Sequence, residues 1–73
     1  MDEKFAIETV EDYINYFGDR EMIDYYKHEE LELSTTEIVN LAVDSMLFYR
    51  EDMDHFDVKD VYTENGHRVL VLI

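Results

Sequence analysis

Asn65-Gly66 stands between two β-rich runs, Val58–Tyr62 and Val69–Ile73, and no other feature of the chain narrows its fold so far. A two-residue type I′ turn needs positive φ at both central positions, which Asn and Gly tolerate and branched residues do not. The pair therefore predicts a hairpin over the last sixteen residues. The second arm of that hairpin, Val69-Leu70-Val71-Leu72-Ile73, carries no polar alternation. A strand apolar on both faces is expected to be covered on both sides or paired with a second copy of itself, and the latter would make a homodimer through the last strand.

Upstream the hydrophobic period changes from two to that of a helix. Ser34-Thr35-Thr36-Glu37 is a capping box ahead of a helical pattern that runs from about Thr35 to Glu51. Ile38, Leu41, Ala42, Ser45, Met46 and Tyr49 share one face, and Val39, Val43 and Leu47 widen it. A face that broad belongs to a central, buried helix, with Glu37, Asn40, Asp44 and Glu51 as its polar edge. Two shorter helices come before it. Thr9 with Asp12 caps Val10–Phe17, and Gly18 suits the left-handed position that ends it. Asp19 can cap a second helix through about Lys27, with Met22, Ile23 and Tyr26 as its apolar stripe. Phe5 and Ile7 alternate with charged neighbours and suit a short N-terminal strand. Leu31 and Leu33 alternate with acids and suit a short extended connection. The reading is one small α+β domain over residues 1–73: two short helices, one long central helix, a hairpin and a short first strand.

Seventy-three residues allow one domain with a modest core. No cysteine is present, which excludes disulfides and Cys-based zinc sites and fits a reducing compartment. No apolar run approaches a membrane span, and no basic segment precedes one as in a signal peptide. A cytoplasmic location is expected.

The charge is the strongest functional clue. The chain holds 19 acidic and 6 basic residues, a formal charge of −13, yet 47% of it is apolar and 14% aromatic. Disordered acidic tails lack such residues, so this chain is expected to fold. Residues 1–33 contain 11 acids and 3 bases and residues 34–57 contain 6 and 1, whereas residues 58–73 contain two of each. The excess charge thus belongs to the helical part. Self-repulsion at this density opposes a compact state, and a thin core tolerates it most readily when the charge has a use. A folded chain of this length spans about 30 Å. That length of duplex DNA carries roughly 18 phosphate charges, the same order as this domain. Direct binding of nucleic acid is therefore not expected, while a protein built to hold DNA would meet a comparable field here.

Acids and aromatics interleave at Asp12-Tyr13, Tyr16-Phe17, Asp24-Tyr25-Tyr26 and Phe48-Tyr49 before Glu51-Asp52. Tyr13, Phe17, Tyr26 and Tyr49 are expected in the core. Tyr16, Tyr25 and Phe48 are the interface candidates, because aromatics dominate binding hot spots. Phe48 follows Asp44 by four residues and so lies on the polar edge. Asp52-x-Asp54-x-x-Asp57 invites a calcium reading, but Phe56 and Asp57 stand where that loop needs a ligand and a glycine. His28, His55 and His67 share no metal-ligand spacing. There is no glycine-rich phosphate loop and no activated nucleophile, and Ser34 is explained as a cap. No catalytic residue, cofactor or metal is assigned. Lys4, Arg20, Lys27 and Arg50 read as local partners for acids three or four residues away, such as Lys27 for Asp24.

In size, net charge, lack of cysteine and acid–tyrosine interleaving, the chain resembles the small acidic inhibitors encoded by phages and mobile elements. These include anti-restriction and anti-CRISPR proteins and inhibitors of DNA-repair enzymes, many of them DNA mimics. The resemblance implies a non-enzymatic protein whose helical surface occupies the basic channel of a nuclease, restriction or CRISPR effector, repair enzyme or regulator. The partner-binding candidates are Glu11, Asp12, Tyr16, Asp19, Asp24, Tyr25, Glu29, Glu30, Asp44, Phe48, Asp52 and Asp54. Two other roles suit the same features: an immunity protein or antitoxin against a basic nuclease toxin, and an adaptor that pairs through its last strand.

Overall fold

A computed structural model describes residues 3–49 and 57–73, apart from the side chain of Tyr49. The described chain is an α+β domain in which one layer of helices covers one face of a three-stranded antiparallel sheet. The elements are β1 (Glu3–Ile7), α1 (Val10–Phe17), α2 (Glu21–Glu29), α3 (Thr35–Asp44), a π-helical turn (Ser45–Tyr49), β2 (Val58–Glu64) and β3 (His67–Leu72). The radius of gyration is 11.6 Å.

Local chemistry explains the boundaries. Thr9 accepts a hydrogen bond from the Asp12 amide at 3.1 Å, and the Asp12 carboxylate accepts from the Thr9 amide at 3.2 Å. Ser34 and Glu37 make the same reciprocal pair at the start of α3. Each box satisfies donors that a helix start leaves without intrahelical partners. Gly18 ends α1 at φ 69°, and Asn65 and Gly66 turn the hairpin at φ 51° and 85°. The Asn40 amide donates to the Gly66 carbonyl at 2.8 Å, tying the turn to α3.

Three sequence expectations change. The α-type ladder expected to run to Glu51 ends at Asp44, and Ser45–Tyr49 continues it as a π turn; residues beyond Tyr49 up to Phe56 lie outside the described part. Leu31 and Leu33 sit in a turn rather than an extended piece. Most consequentially, β3 is the central strand, bonded to β1 on one edge and β2 on the other. Both of its backbone edges are used, so it can neither pair with a second copy nor serve an adaptor by strand addition.

Register explains how β3 can be apolar on both faces. One row, Phe5–Leu70–Val61, faces the helices, where Leu70 joins Ile7, Tyr13, Ile23, Val39, Val43 and Leu47 in the core. The opposite row, Ala6–Val69–Tyr62, and its neighbour Lys4–Val71–Asp60 have no helix over them. Val69 and Val71 are nevertheless only 3% and 9% exposed. The flanking strands supply the cover: the Lys4 ammonium lies 5.7 Å from the centroid of the Tyr62 ring. On β2 the register shifts between Val58 and Asp60, and the Asp60 carboxylate accepts from the Val61 amide at 2.8 Å. A bulge and a self-satisfied amide both discourage pairing at this outer edge.

Candidate partner-binding surface

The candidates among the described residues separate into structural acids, one half-buried tyrosine and an exposed set. Asp12 is spent on its cap, accepting from the Glu8 amide as well as that of Thr9. The α2 cap position expected of Asp19 falls instead on Arg20, whose side chain makes no cap bond; Asp19, one residue earlier, accepts from the Glu21 amide at 2.9 Å. Asp24 pairs with Arg20 at 3.4 Å rather than with Lys27, in a position open to solvent. Asp44 is held by Arg68 in two parallel bonds of 3.0 and 2.9 Å, and the same guanidinium donates to the Thr63 hydroxyl. Bonding to Asp44 pushes the Arg68 pKa above its usual value, against a smaller opposing effect of burial. This clamp joins α3 to the hairpin and neutralises Asp44, which is thereby a structural acid first.

Tyr16 is half-buried against Phe5 and Phe17, with ring centroids 5.3 and 5.0 Å away. Burial, with a contribution from Asp57, raises its pKa. Tyr13 and Phe17 are core as expected. Tyr26 only partly enters the core, and its hydroxyl meets the buried Ser45 hydroxyl at 2.6 Å. Phe48 is 53% exposed, and with Asp44, Val61, Tyr62, Thr63 and Arg68 it borders a groove of about 540 Å³ beside β2. Asp52 and Asp54 lie outside the described residues.

Glu11, Tyr25, Glu29 and Glu30 remain, all exposed; Glu11 is on α1, and the other three are on or just after α2. Helical spacing sets Glu21, Tyr25 and Glu29 in one stripe, each four residues from the next. Tyr25 is 57% exposed, and Leu31, at 83%, stands among Glu29, Glu30 and Glu32. Beside the stripe Met22, Tyr25, Tyr26 and Ser45 line an open groove of about 420 Å³. Among the described residues, Glu21, Glu29, Glu30 and Glu32 have no ion-pair partner, and the exposed Glu11 on α1 has none either. By the same spacing Lys27 lies on the far side of α2 from the stripe, while His28, three residues after Tyr25, borders it on the side away from Met22 and Tyr26. The candidates thus gather on α2 and its C-terminal connection. Those on α3 and the π turn form a separate region next to β2.

Glu21 and Met22 belong to this surface and were not among the sequence candidates. The four-residue spacing of Glu21-x-x-x-Tyr25-x-x-x-Glu29 is the signal that identifies Glu21; Met22 reads from sequence as part of the apolar stripe and joins the surface by lining its groove. The opposite side of the molecule differs. On the open sheet face Lys4, Asp60, Glu8, Glu64 and His67 mix both signs, and His67 approaches Glu8 at 3.4 Å. Among the described residues, no three His, Cys, Asp or Glu side chains are arranged to hold a metal ion, and no helix is long and apolar enough to cross a membrane. No protein-family model, curated protein or solved structure matches the chain.

Proposed function

We propose that this chain is an acidic binding protein that inhibits a nucleic-acid-binding protein by occupying its basic surface in place of DNA. The target class comprises nucleases, restriction or CRISPR effectors, repair enzymes and regulators. The protein acts by occlusion and without turnover, in the cytoplasm where such targets work. The observation that carries the reading is the α2 stripe: Glu21 and Glu29, with no cation partner among the described residues, flank an exposed tyrosine, and Glu30 and Glu32, likewise without one there, follow.

Energetics support a use for this arrangement. Glu29 and Glu30 sit at the C-terminal end of α2, where the helix dipole is negative. An acid there costs about 0.3–1 kcal/mol at low ionic strength, and Lys27 and His28 offset only part of it. Acids at the start of α1, by contrast, favour the helix and need no function to explain them. An exposed tyrosine amid free carboxylates offers contact area together with a long-range field, which steers a basic partner and accelerates docking.

The test begins with tagged protein incubated in host lysate at low salt and eluted with a salt gradient. Basic nucleic-acid-binding proteins are expected to leave at moderate salt, because exposed charge pairs weaken within a Debye length of about 8 Å at 0.15 M. The recovered target is then purified and assayed on DNA. Inhibition should be stoichiometric, competed by duplex DNA, and weakened by Glu21→Gln with Glu29→Gln. Recovery of only salt-resistant partners, or of a target whose DNA binding is untouched, would defeat the reading.

A further inference from the structure

We infer that the groove of Met22, Tyr25, Tyr26 and Ser45 receives an arginine side chain from the basic protein partner. The inference rests on the reading above and specifies which side chain the surface selects. The groove walls are mainly apolar and aromatic. The rings of Tyr25 and Tyr26 stand 5.2 Å apart at 78°, so they present two nearly perpendicular faces. One wall is fixed in advance, since the Tyr26 hydroxyl is bonded to Ser45, which is 2% exposed. A preformed wall avoids part of the ordering cost of binding.

Charge decides between occupants. Glu21 and Glu29 share the Tyr25 stripe at i−4 and i+4, within side-chain reach of its ring, and neither has a cation of its own among the described residues. An apolar anchor would cover the rings but would leave two carboxylates partly desolvated and unpaired. A phosphate or a base-bearing strand would be repelled by the same carboxylates. Lysine brings a charge, but its ammonium is compact and strongly hydrated. Arginine alone combines a long apolar stem for Met22, a planar cation that stacks on tyrosine, and a donor fork that meets a carboxylate in two parallel bonds.

The experiment uses the whole chain with two fluorescein-labelled peptides, octa-arginine and octa-lysine, titrated by fluorescence anisotropy at low salt. Octa-arginine is expected to bind about tenfold more tightly, the increment of one aromatic–guanidinium contact with its carboxylate. Tyr25→Ala should reduce octa-arginine to the octa-lysine level and leave octa-lysine nearly unchanged. Glu64→Gln, on the hairpin, should preserve the difference. Tyr25 is exposed, so its loss should leave the circular dichroism spectrum intact; Tyr25→Phe, which keeps the ring, should retain the preference. Equal, salt-sensitive binding of both peptides would overturn the arginine site while leaving the acidic-surface reading standing. Binding of neither peptide at low salt would overturn both.

Discussion

Replacing Asp44 by asparagine is expected to destabilise the protein, although it removes a negative charge from a chain of net −13. Two effects oppose each other. A like charge 10 Å away repels by about 0.4 kcal/mol in water before screening, so relief of repulsion yields a few tenths at physiological salt. Against it stands the loss of a two-bond contact with Arg68 at 3.0 and 2.9 Å, between side chains 28% and 26% exposed. Hydrogen bonds to charged groups contribute about 1.5–3 kcal/mol, whereas fully exposed pairs contribute about 0–1. Partial exposure puts the net loss near 1.5 kcal/mol, which in a domain of this size lowers the melting temperature by roughly 6–12 °C. The assay is thermal and urea unfolding followed by circular dichroism, with Arg68→Met and the double variant completing a cycle. The coupling energy should exceed about 1 kcal/mol and persist at 0.5 M salt, because the pair is partly shielded. Asp24→Asn, which breaks the exposed pair with Arg20, serves as the contrast and should change stability by less than about 0.5 kcal/mol. A neutral or stabilising Asp44→Asn, or a coupling near zero, would refute the assignment of Asp44 as a clamp and return it to the set of free acids.

Three further outcomes are expected. Gly66→Ala meets no atom within 4 Å of the new carbon, so its cost should be conformational alone, about 1–2 kcal/mol in denaturant unfolding; a neutral result would contradict the type I′ turn. Tyr26→Phe strands the buried Ser45 hydroxyl and should cost about 1–2 kcal/mol, more than Ser45→Ala, because Tyr26 lines an open groove through which its hydroxyl can reach water. The reverse order in urea melts would count against the bond. The Tyr16 pKa is raised by burial and by Asp57, so its folded form holds the proton more tightly than the unfolded chain does. Its contribution is complete below the unfolded value of 10.0 and is lost as pH rises through the higher folded value. Stability measured from pH 9 to 12 should therefore fall less steeply in Tyr16→Phe, and parallel curves would exclude the effect.

What the sequence makes legible is local. Thr9 with Asp12, Ser34 with Glu37, Gly18 and Asn65-Gly66 each announce a boundary through neighbours a few residues away, and each stands where it was expected. The parts that were not legible depend on partners far along the chain. Asp44 reads as a free acid on a helix edge until Arg68, 24 residues on, closes over it. Tyr26 and Ser45 meet across 19 residues, and nothing in either segment alone announces the bond. The double-sided apolarity of β3 correctly signals enclosure, but not that the helices cover one face while β1 and β2 flank the strand and cover the other. The π turn after Asp44 has no local marker in the residues around it. On the candidate surface, Tyr25, Glu29 and Glu30 are legible because their exposure follows from helical period. Asp12 and Asp19 read both as caps and as partner contacts, because bonding a helix-start amide uses the same residue types as display.

The central position of β3 also sets an order of events. Its partner β1 precedes it by about 60 residues, as the pairing of Ile7 with Arg68 illustrates. Ribosomes add roughly 5–20 residues each second, so β1 waits roughly 3–12 s for the strand that completes it. The sheet cannot nucleate from its beginning, and closure of so long a loop slows folding relative to a helical bundle of equal length. During that interval α1 and α2 can form only as isolated, marginal helices. The nascent chain is then a polyanion with Phe5 and Ile7 not yet covered, and repulsion between its acids opposes association with its neighbours on a polysome.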